Sequence, residues 1–314
     1  MDIWELIKSQ SLTKDHLNVQ QEYLIDNFLP KRTISVWYSD GGTGKSYLVY
    51  GVTKIALKAG MRVIYIDHDN GINTIKERNI ESMLDGYDSL NYLHRSSMTM
   101  DADLFLEEMS NVAIGQIYEN VLLVADSIKD IIMDMSNDVK AAKIMRILMN
   151  IREAGGTIIA LHHTNKSGRN YQGSNQIKNS SDIMYSMEQK SSTDGMINYF
   201  MKAEKMRAGV VNKGWSLDLK TLNLTEINES EAMMSVYESD FITKIQKILK
   251  EEDNMTLSEL CDELGSTTDD KTTRSMIDKF DGKYYQSKKL GKKRVFSLVT
   301  TNVTNVTNEI KEAV

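Results

Sequence analysis

TISVWYSDGGTGKSYLVY, residues 33–50, changes character twice along its length. Its first part, Thr33–Tyr38, is short, apolar and rich in β-branched and aromatic residues, which predicts a buried strand. Ser39–Gly44 is a glycine-rich turn. From Lys45 onward Leu48, Val52, Ile55 and Ala56 fall on one helical face, and Gly60 ends the run. A strand, a glycine-rich turn and a helix in direct succession form a phosphate cradle. The glycines let backbone N–H groups turn inward, and the helix aims its N-terminal dipole at the same point. Lys45 then reaches the β- and γ-phosphates, and the Ser46 hydroxyl holds Mg²⁺. Ser39 stands where the usual pattern has glycine, and Gly41, Gly42 and Gly44 remain. Ser39, Asp40, Gly41, Gly42, Thr43, Gly44, Lys45, Ser46 and Tyr47 are the expected nucleotide-binding residues, with ATP and Mg²⁺ as the ligands.

Outward from this stretch, strands and helices alternate. Arg62–Asp67 predicts a strand, 72–85 a helix, Leu90–Leu93 a strand, and Ala102 to about Ala113 a helix. Val121–Asp126 is an apolar run ending in an acid, Asp138–Ala154 a long helix, and Thr157–His162 a strand. This order predicts an α/β fold, a mainly parallel sheet with helices on both faces. Asn198–Ala203, Trp215–Leu219 and Leu222–Thr225 predict short strands extending the sheet. Leu24, Ile25, Phe28 and Leu29 have helical spacing, stopped at Pro30, so residues 1–32 read as a helical arm and linker.

Asp126 ends a buried strand and supplies the carboxylate that Mg²⁺ needs beside Ser46. Asp67 and Asp69 sit at another strand's C-terminal end, where open α/β sheets bind ligands, and could orient or deprotonate water. The alternative there is a solvated acidic turn.

The order of these pieces resembles the RecA-like ATPases, and within them the RepA-type and DnaB-type hexameric replicative DNA helicases, over roughly residues 28–225. The resemblance implies several roles. Asp69 takes the place of the family's catalytic glutamate, one methylene shorter. His162 and His163 match paired histidines that sense the γ-phosphate and couple it to the DNA-binding loop. Lys205 and Arg207 match a Lys-x-Arg pair that reaches the ATP of a neighbouring subunit, which implies a homo-oligomer, a hexameric ring. Residues 166–178, KSGRNYQGSNQIK, hold no acid and follow the histidines. In RecA-like proteins that loop lines the path of single-stranded DNA, so Lys166, Arg169 and Lys178 would meet phosphates and Tyr171 would stack on a base.

Residues 33–228 thus read as a RecA-like core, 229–239 as a linker, 240–300 as a winged helix-turn-helix domain, and 301–314 as a disordered polar tail. In the third of these, Thr256 and Glu259 form a capping-box pattern, and two strands flank Leu290-Gly291. Residues 283–294, KYYQSKKLGKKR, carry six cations and no acid. Lys288, Lys289, Lys292, Lys293 and Arg294 would grip phosphate, and Lys271 and Arg274 open the helix that would meet duplex DNA. Protein contact is the alternative use of such a domain.

The net charge of −6 excludes a general nucleic-acid coater. The single cysteine, Cys261, permits no internal disulfide and points to a reducing cytoplasm. No signal peptide or membrane span is expected. Two functions remain open. One is an ATP-driven helicase motor on DNA, working with a primase or loader and making no primers itself. The other is an ATP-gated assembly factor, such as a recombination mediator, helicase loader or replication regulator, that does not unwind. A small-molecule P-loop kinase would leave the Lys-x-Arg pair and the C-terminal domain unexplained.

Overall fold

The computed structural model describes residues 2–14, 20–131, 137–165, 171–193, 195–291 and 293–299. They divide into two compact units, Met1–Met233 and Met234–Val314.

In the first unit α1 (Ile3–Ser9) precedes a small hairpin, β1 (Tyr23–Ile25) and β2 (Leu29–Pro30). Then β3 (Ile34–Ser39) leads into α2 (Lys45–Lys58), and β4 (Arg62–Asp67) into α3 (Ile72–Glu77) and α4 (Glu81–Gly86). After β5 (Leu90–His94) comes α5 (Ala102–Asn111), and after β6 (Val121–Asp126) come α6 (Ile128–Ile131) and α7 (Asp138–Glu153). Next, β7 (Thr157–His163) leads to α8 (Asn175–Ser180). The unit closes with β8 (Ile183–Thr193), β9 (Met196–Met206), β10 (Lys213–Asp218), β11 (Leu224–Ile227) and α9 (Glu229–Ala232).

The main sheet has the order β11-β10-β9-β8-β3-β7-β6-β4-β5. Strands β8, β3, β7, β6, β4 and β5 run parallel, and β9, β10 and β11 extend the sheet antiparallel. The parallel strands are buried on both faces, which explains their unbroken apolar runs. Alternation divides their side chains between two cores. Trp37, Ile159 and Leu161 pack with Leu48 and Val52 of α2 on one face. Val36, Ile158 and Ala160 pack with Leu106 of α5 and Leu148 of α7 on the other.

Three expectations need correction. Residues 23–30 form a hairpin, not a helix. Asn27 turns the chain at φ +53°, and Phe28 packs its ring 4.8 Å from Tyr185 and 5.2 Å from Trp215. Spacing alone mimicked a helix because two adjacent apolar pairs both needed burial. Residues 72–85 form two helices, broken at Asn79 with φ +56°. The segment 229–239 read as linker carries α9, whose Ala232 is fully buried, with its Cβ 2.6 Å from where a Cβ on Gly214 would stand. Strand β8 went unpredicted because its outer half, Glu188–Thr193, is polar.

The second unit holds α10 (Val236–Glu251), β12 (Met255–Thr256), α11 (Leu257–Glu263), α12 (Lys271–Phe280), β13 (Tyr285–Leu290) and β14 (Lys293–Leu298). The strands form a sheet in the order β12-β14-β13. Ile245, Leu249, Leu260, Ile277, Tyr285 and Phe296 make its core. The Thr256–Glu259 capping box forms, and a second caps α10 through Ser235 and Glu238. Residues 301–314 lie outside the described residues. No helix among the described residues is long and apolar enough to cross a membrane.

Candidate nucleotide site

The phosphate loop leaves β3 at Ser39 and enters α2 at Lys45. Gly42 and Gly44 adopt φ +79° and +73°, a left-handed backbone that any side chain would strain. At Gly44 the limit is also steric. The Tyr199 hydroxyl donates to the Gly44 carbonyl at 3.1 Å, and a Cβ there would lie 2.5 Å from that oxygen. Ser39 fits where glycine is usual because its hydroxyl hydrogen-bonds Thr43 Oγ1 at 2.5 Å within the loop. Lys45 is buried, and its ammonium donates to the carbonyls of Ser39 at 3.1 Å and Asp40 at 2.9 Å. Burial pulls its pKa down, and the nearby carboxylates of Asp126, Asp69 and Asp40 oppose that pull. A cavity of about 370 Å³ opens over the loop, lined among others by Lys45, Ser46, Asp69, Asn70, Arg78 and His163.

Beneath it lie two buried acids. Asp67 and Asp126 end adjacent parallel strands in direct register. The Asn70 amide donates to Asp67 Oδ1 at 3.1 Å, to Asp126 Oδ2 at 3.4 Å and to Ser46 Oγ at 3.4 Å. Tyr65 donates to Asp126 at 2.8 Å and Tyr92 to Asp67 at 2.5 Å. Tyr65 and Tyr92 stack at 4.9 Å, and the hydroxyls of Tyr50 and Tyr92 are 3.1 Å apart. Burial, and then the neighbouring Asp67, push the Asp126 carboxyl up to about 7. A buried carboxylate beside a second one and close to a hydroxyl is a hard oxygen donor set, which suits Mg²⁺. Ser46 and Asp126 would hold the ion, and the ion would supply the countercharge that this pair calls for.

The two histidines part company. Strand alternation puts His163 on the α2 face, lining the nucleotide cavity. His162 lies on the α7 face, fully buried, with Nε2 donating to the Gln172 carbonyl and Nδ1 without a partner. Burial lowers the pKa of both, for His162 to about 4, and the Lys45 charge adds to the effect at His163. The expectation that both sense phosphate is therefore corrected: of the pair, His163 alone lines the cavity. Asp69 is exposed beside it. The carboxylates of Asp69 and Asp130 and the ring of His163 lie within 4.8 Å of one another.

Lys205 and Arg207 do share one side, but both turn to the end of α8. Lys205 donates to the carbonyls of Lys178, Asn179 and Ser181, and Arg207 to Asn179 at 3.0 Å. Arg207 also stands 3.9 Å from Asp182, with its side chain 57% exposed. Tyr171 stacks edge-on to Tyr38 at 6.0 Å, and its hydroxyl donates to Asn175 at 2.8 Å. Lys178 is exposed on α8. Lys166, Arg169 and Lys292 lie outside the described residues.

A family model described as an AAA domain matches residues 12–169, half of the chain and the whole phosphate loop. The chain belongs to this AAA domain family. No curated protein matches it. Three solved structures are similar at low identity. The flagellar accessory protein FlaH from Methanocaldococcus jannaschii is 16% identical with a TM-score of 0.45, over 69% of this chain and 97% of that one. An ATPase domain solved by itself is 12% identical with a TM-score of 0.48, over 72% and 96%. The RadB recombinase is 12% identical with a TM-score of 0.46, over 64% and 93%.

Sequence reasoning missed two parts of the AAA domain's site. Arg78 lies 4.9 Å over the Tyr47 ring, with Nη1 buried and unpaired. Nothing in its local sequence marks it. The tyrosines behind the acids had a signal only in register, since Tyr65 and Tyr92 are direct neighbours on β4 and β5.

In the second unit Arg294 is not a free cation. It donates to Asp278 at 2.5 Å and Asp281 at 2.7 Å, and lies 4.8 Å over Phe296. Its expected role in gripping phosphate is corrected to one of holding the hairpin. Lys288, Lys289 and Lys293 lie on β13 and β14, and Lys271 and Arg274 on α12, with Lys289, Lys293, Lys271 and Arg274 exposed and Lys288 partly so.

Proposed function

We propose that this chain is an ATP-hydrolysing motor on DNA, a RepA-like hexameric replicative helicase. The observation that carries the reading is the clamp between the phosphate loop and the segment that follows β7. Thr164 N–H donates to the Ser39 carbonyl at 3.2 Å, and its hydroxyl donates to Asp40 Oδ1. At the other end Gln172 N–H donates to the His163 carbonyl at 2.8 Å. A segment held at both ends by the nucleotide site can transmit the state of that site. Here it carries the cations and tyrosine expected to meet single-stranded DNA.

In this reading Lys45 and Ser46 bind the ATP phosphates, with Mg²⁺ between Ser46 and Asp126. Arg78 and Tyr47 offer a guanidinium and a ring to the base. Asp69 orients water. Arg207, the more exposed of the late cationic pair, reaches the neighbouring subunit's phosphate in a ring. The C-terminal unit is a winged helix whose basic hairpin meets duplex phosphates. The deciding experiment is ATP turnover with Mg²⁺, with and without single-stranded DNA, alongside mass in solution and unwinding of a forked duplex. DNA-stimulated turnover by a ring-sized assembly that unwinds the fork supports the motor. If Arg207→Ala leaves turnover in that assembly unchanged, the trans contact is lost from the proposal.

One observation favours a second reading. Asp69 is a short acid in the place of a glutamate, which suits an ATP-gated assembly factor with slow turnover. Binding and assembly on DNA with ATP, without fork unwinding, would select it.

A further inference from the structure

Asp130 has no place in the scheme above. It lies on α6, four residues past Asp126, and the Ser127 hydroxyl donates to its Oδ2. Ser127 is fully buried, so this bond fixes the carboxylate from the strand end that carries Asp126. Asp69 arrives from the end of β4 and His163 from the end of β7. Three neighbouring strands, β4, β6 and β7, thus bring three polar groups to the rim of the phosphate loop.

Their spacing sets what can sit among them. Three atoms all within 4.8 Å of one another leave a point no more than about 2.8 Å from each, the length of a hydrogen bond to water. Their chemistry matches as well. Two carboxylates accept, and the ring of a neutral histidine donates through one nitrogen. A water there gives one hydrogen to Asp69, the other to Asp130, and accepts from His163. One lone pair stays free.

We propose that Asp130, with Asp69 and His163, holds the water that attacks the γ-phosphate. This rests on the reading of the site as an ATPase. The water oxygen bonds to the γ-phosphorus as the bond from phosphorus to the β–γ bridging oxygen breaks. The electron pair of that bond leaves with ADP. The water's proton passes to Asp69, and from there to solvent. Asp130 keeps the second hydrogen bond and so fixes which lone pair faces phosphorus. A second carboxylate at this point offsets the short reach of Asp69.

The test is steady-state ATP turnover together with binding of a fluorescent ADP analogue, in the full chain with Mg²⁺. Asp130→Asn is expected to lower kcat about 100-fold while KM and analogue affinity stay within about threefold, and Asp130→Glu to restore part of the loss. Ser127→Ala, which only frees the carboxylate, should lower kcat about fivefold with the same split. Turnover by Asp130→Asn within about twofold of the parent overturns the assignment. So does a loss of analogue binding equal to the loss of turnover, since that marks a merely structural role. A parent protein that binds the analogue and hydrolyses no ATP would instead remove the ATPase reading itself.

Discussion

The phosphate loop and the C-terminal hairpin both offer lysines to phosphate, and they are built in opposite ways. Lys45 is 6% exposed, and two carbonyls of its own loop hold its ammonium. Glycine geometry and a tyrosine hydroxyl fix the backbone around it. On the hairpin Lys288, Lys289 and Lys293 reach into solvent, and Arg294 is fastened by acids. The first arrangement is a preformed cradle for one group in one orientation. The second is a charged surface that tolerates many positions of a polyanion. Charge density along the sequence is far higher at the hairpin, yet the specific site is at the loop. What separates them is how much of the cation's surroundings the fold dictates.

The sharpest break of this comparison is at Lys45. Lys45→Ala should lower ATP turnover by about 10³-fold, because a single preorganised donor is lost from a site with no substitute. A loss of only a few fold would show that the loop is no more committed than the hairpin. Replacing Lys288, Lys289 and Lys293 together by alanine should instead weaken duplex DNA binding by about 10- to 100-fold at low salt. The slope of log affinity against log salt should fall by roughly 3. An unchanged slope would move the DNA contact elsewhere. Arg294→Ala separates holding from binding on the same hairpin. Its ion pairs are half-exposed, so together with the Phe296 contact they contribute about 1–2 kcal/mol. Faster hydrogen exchange in α12 with an unaltered salt slope is expected. A reduced slope would return Arg294 to the phosphate surface.

The sheet and the loop were legible because each rests on local pattern. Unbroken apolar runs mark parallel strands, and three glycines before Lys45 mark a backbone that only glycine follows easily. Asp126 was legible from its place at the end of such a run. What could not be read depends on register or on partners distant in the chain. The Asn70 bridge between two acids needs β4 and β6 aligned residue for residue. Arg294 reads as a free cation until Asp278 and Asp281 are seen to face it. The hairpin at 23–30 escaped because its apolar residues are anchored by Trp37, Tyr185 and Trp215, which no window around them contains. His162 and His163 were legible as a strand end, but a resemblance that treats them as a pair hides the alternation that divides them.

That division gives the smallest and most selective prediction. His162 is buried, and its Nε2 donates to a carbonyl, so the neutral ring is the form that fits. Burial depresses its folded pKa to about 4, against 6.5 for the unfolded chain. Above about pH 6.5 neither state binds the proton and stability is unaffected. As pH falls further the unfolded chain takes up a proton that the folded chain refuses, so stability is lost progressively until about pH 4. At about pH 5 the loss from this group is about 2 kcal/mol. His162→Gln keeps a donor for Gln172 and cannot titrate. Denaturant midpoints for the two proteins should agree at about pH 7.5, and at about pH 5 the variant should be the more stable by about that amount. His163→Gln should show a smaller difference, because that ring is only half-buried and opens to the cavity. Equal pH dependence for both variants would mean that the two imidazoles share one environment, and the contrast between the two faces of β7 would fail.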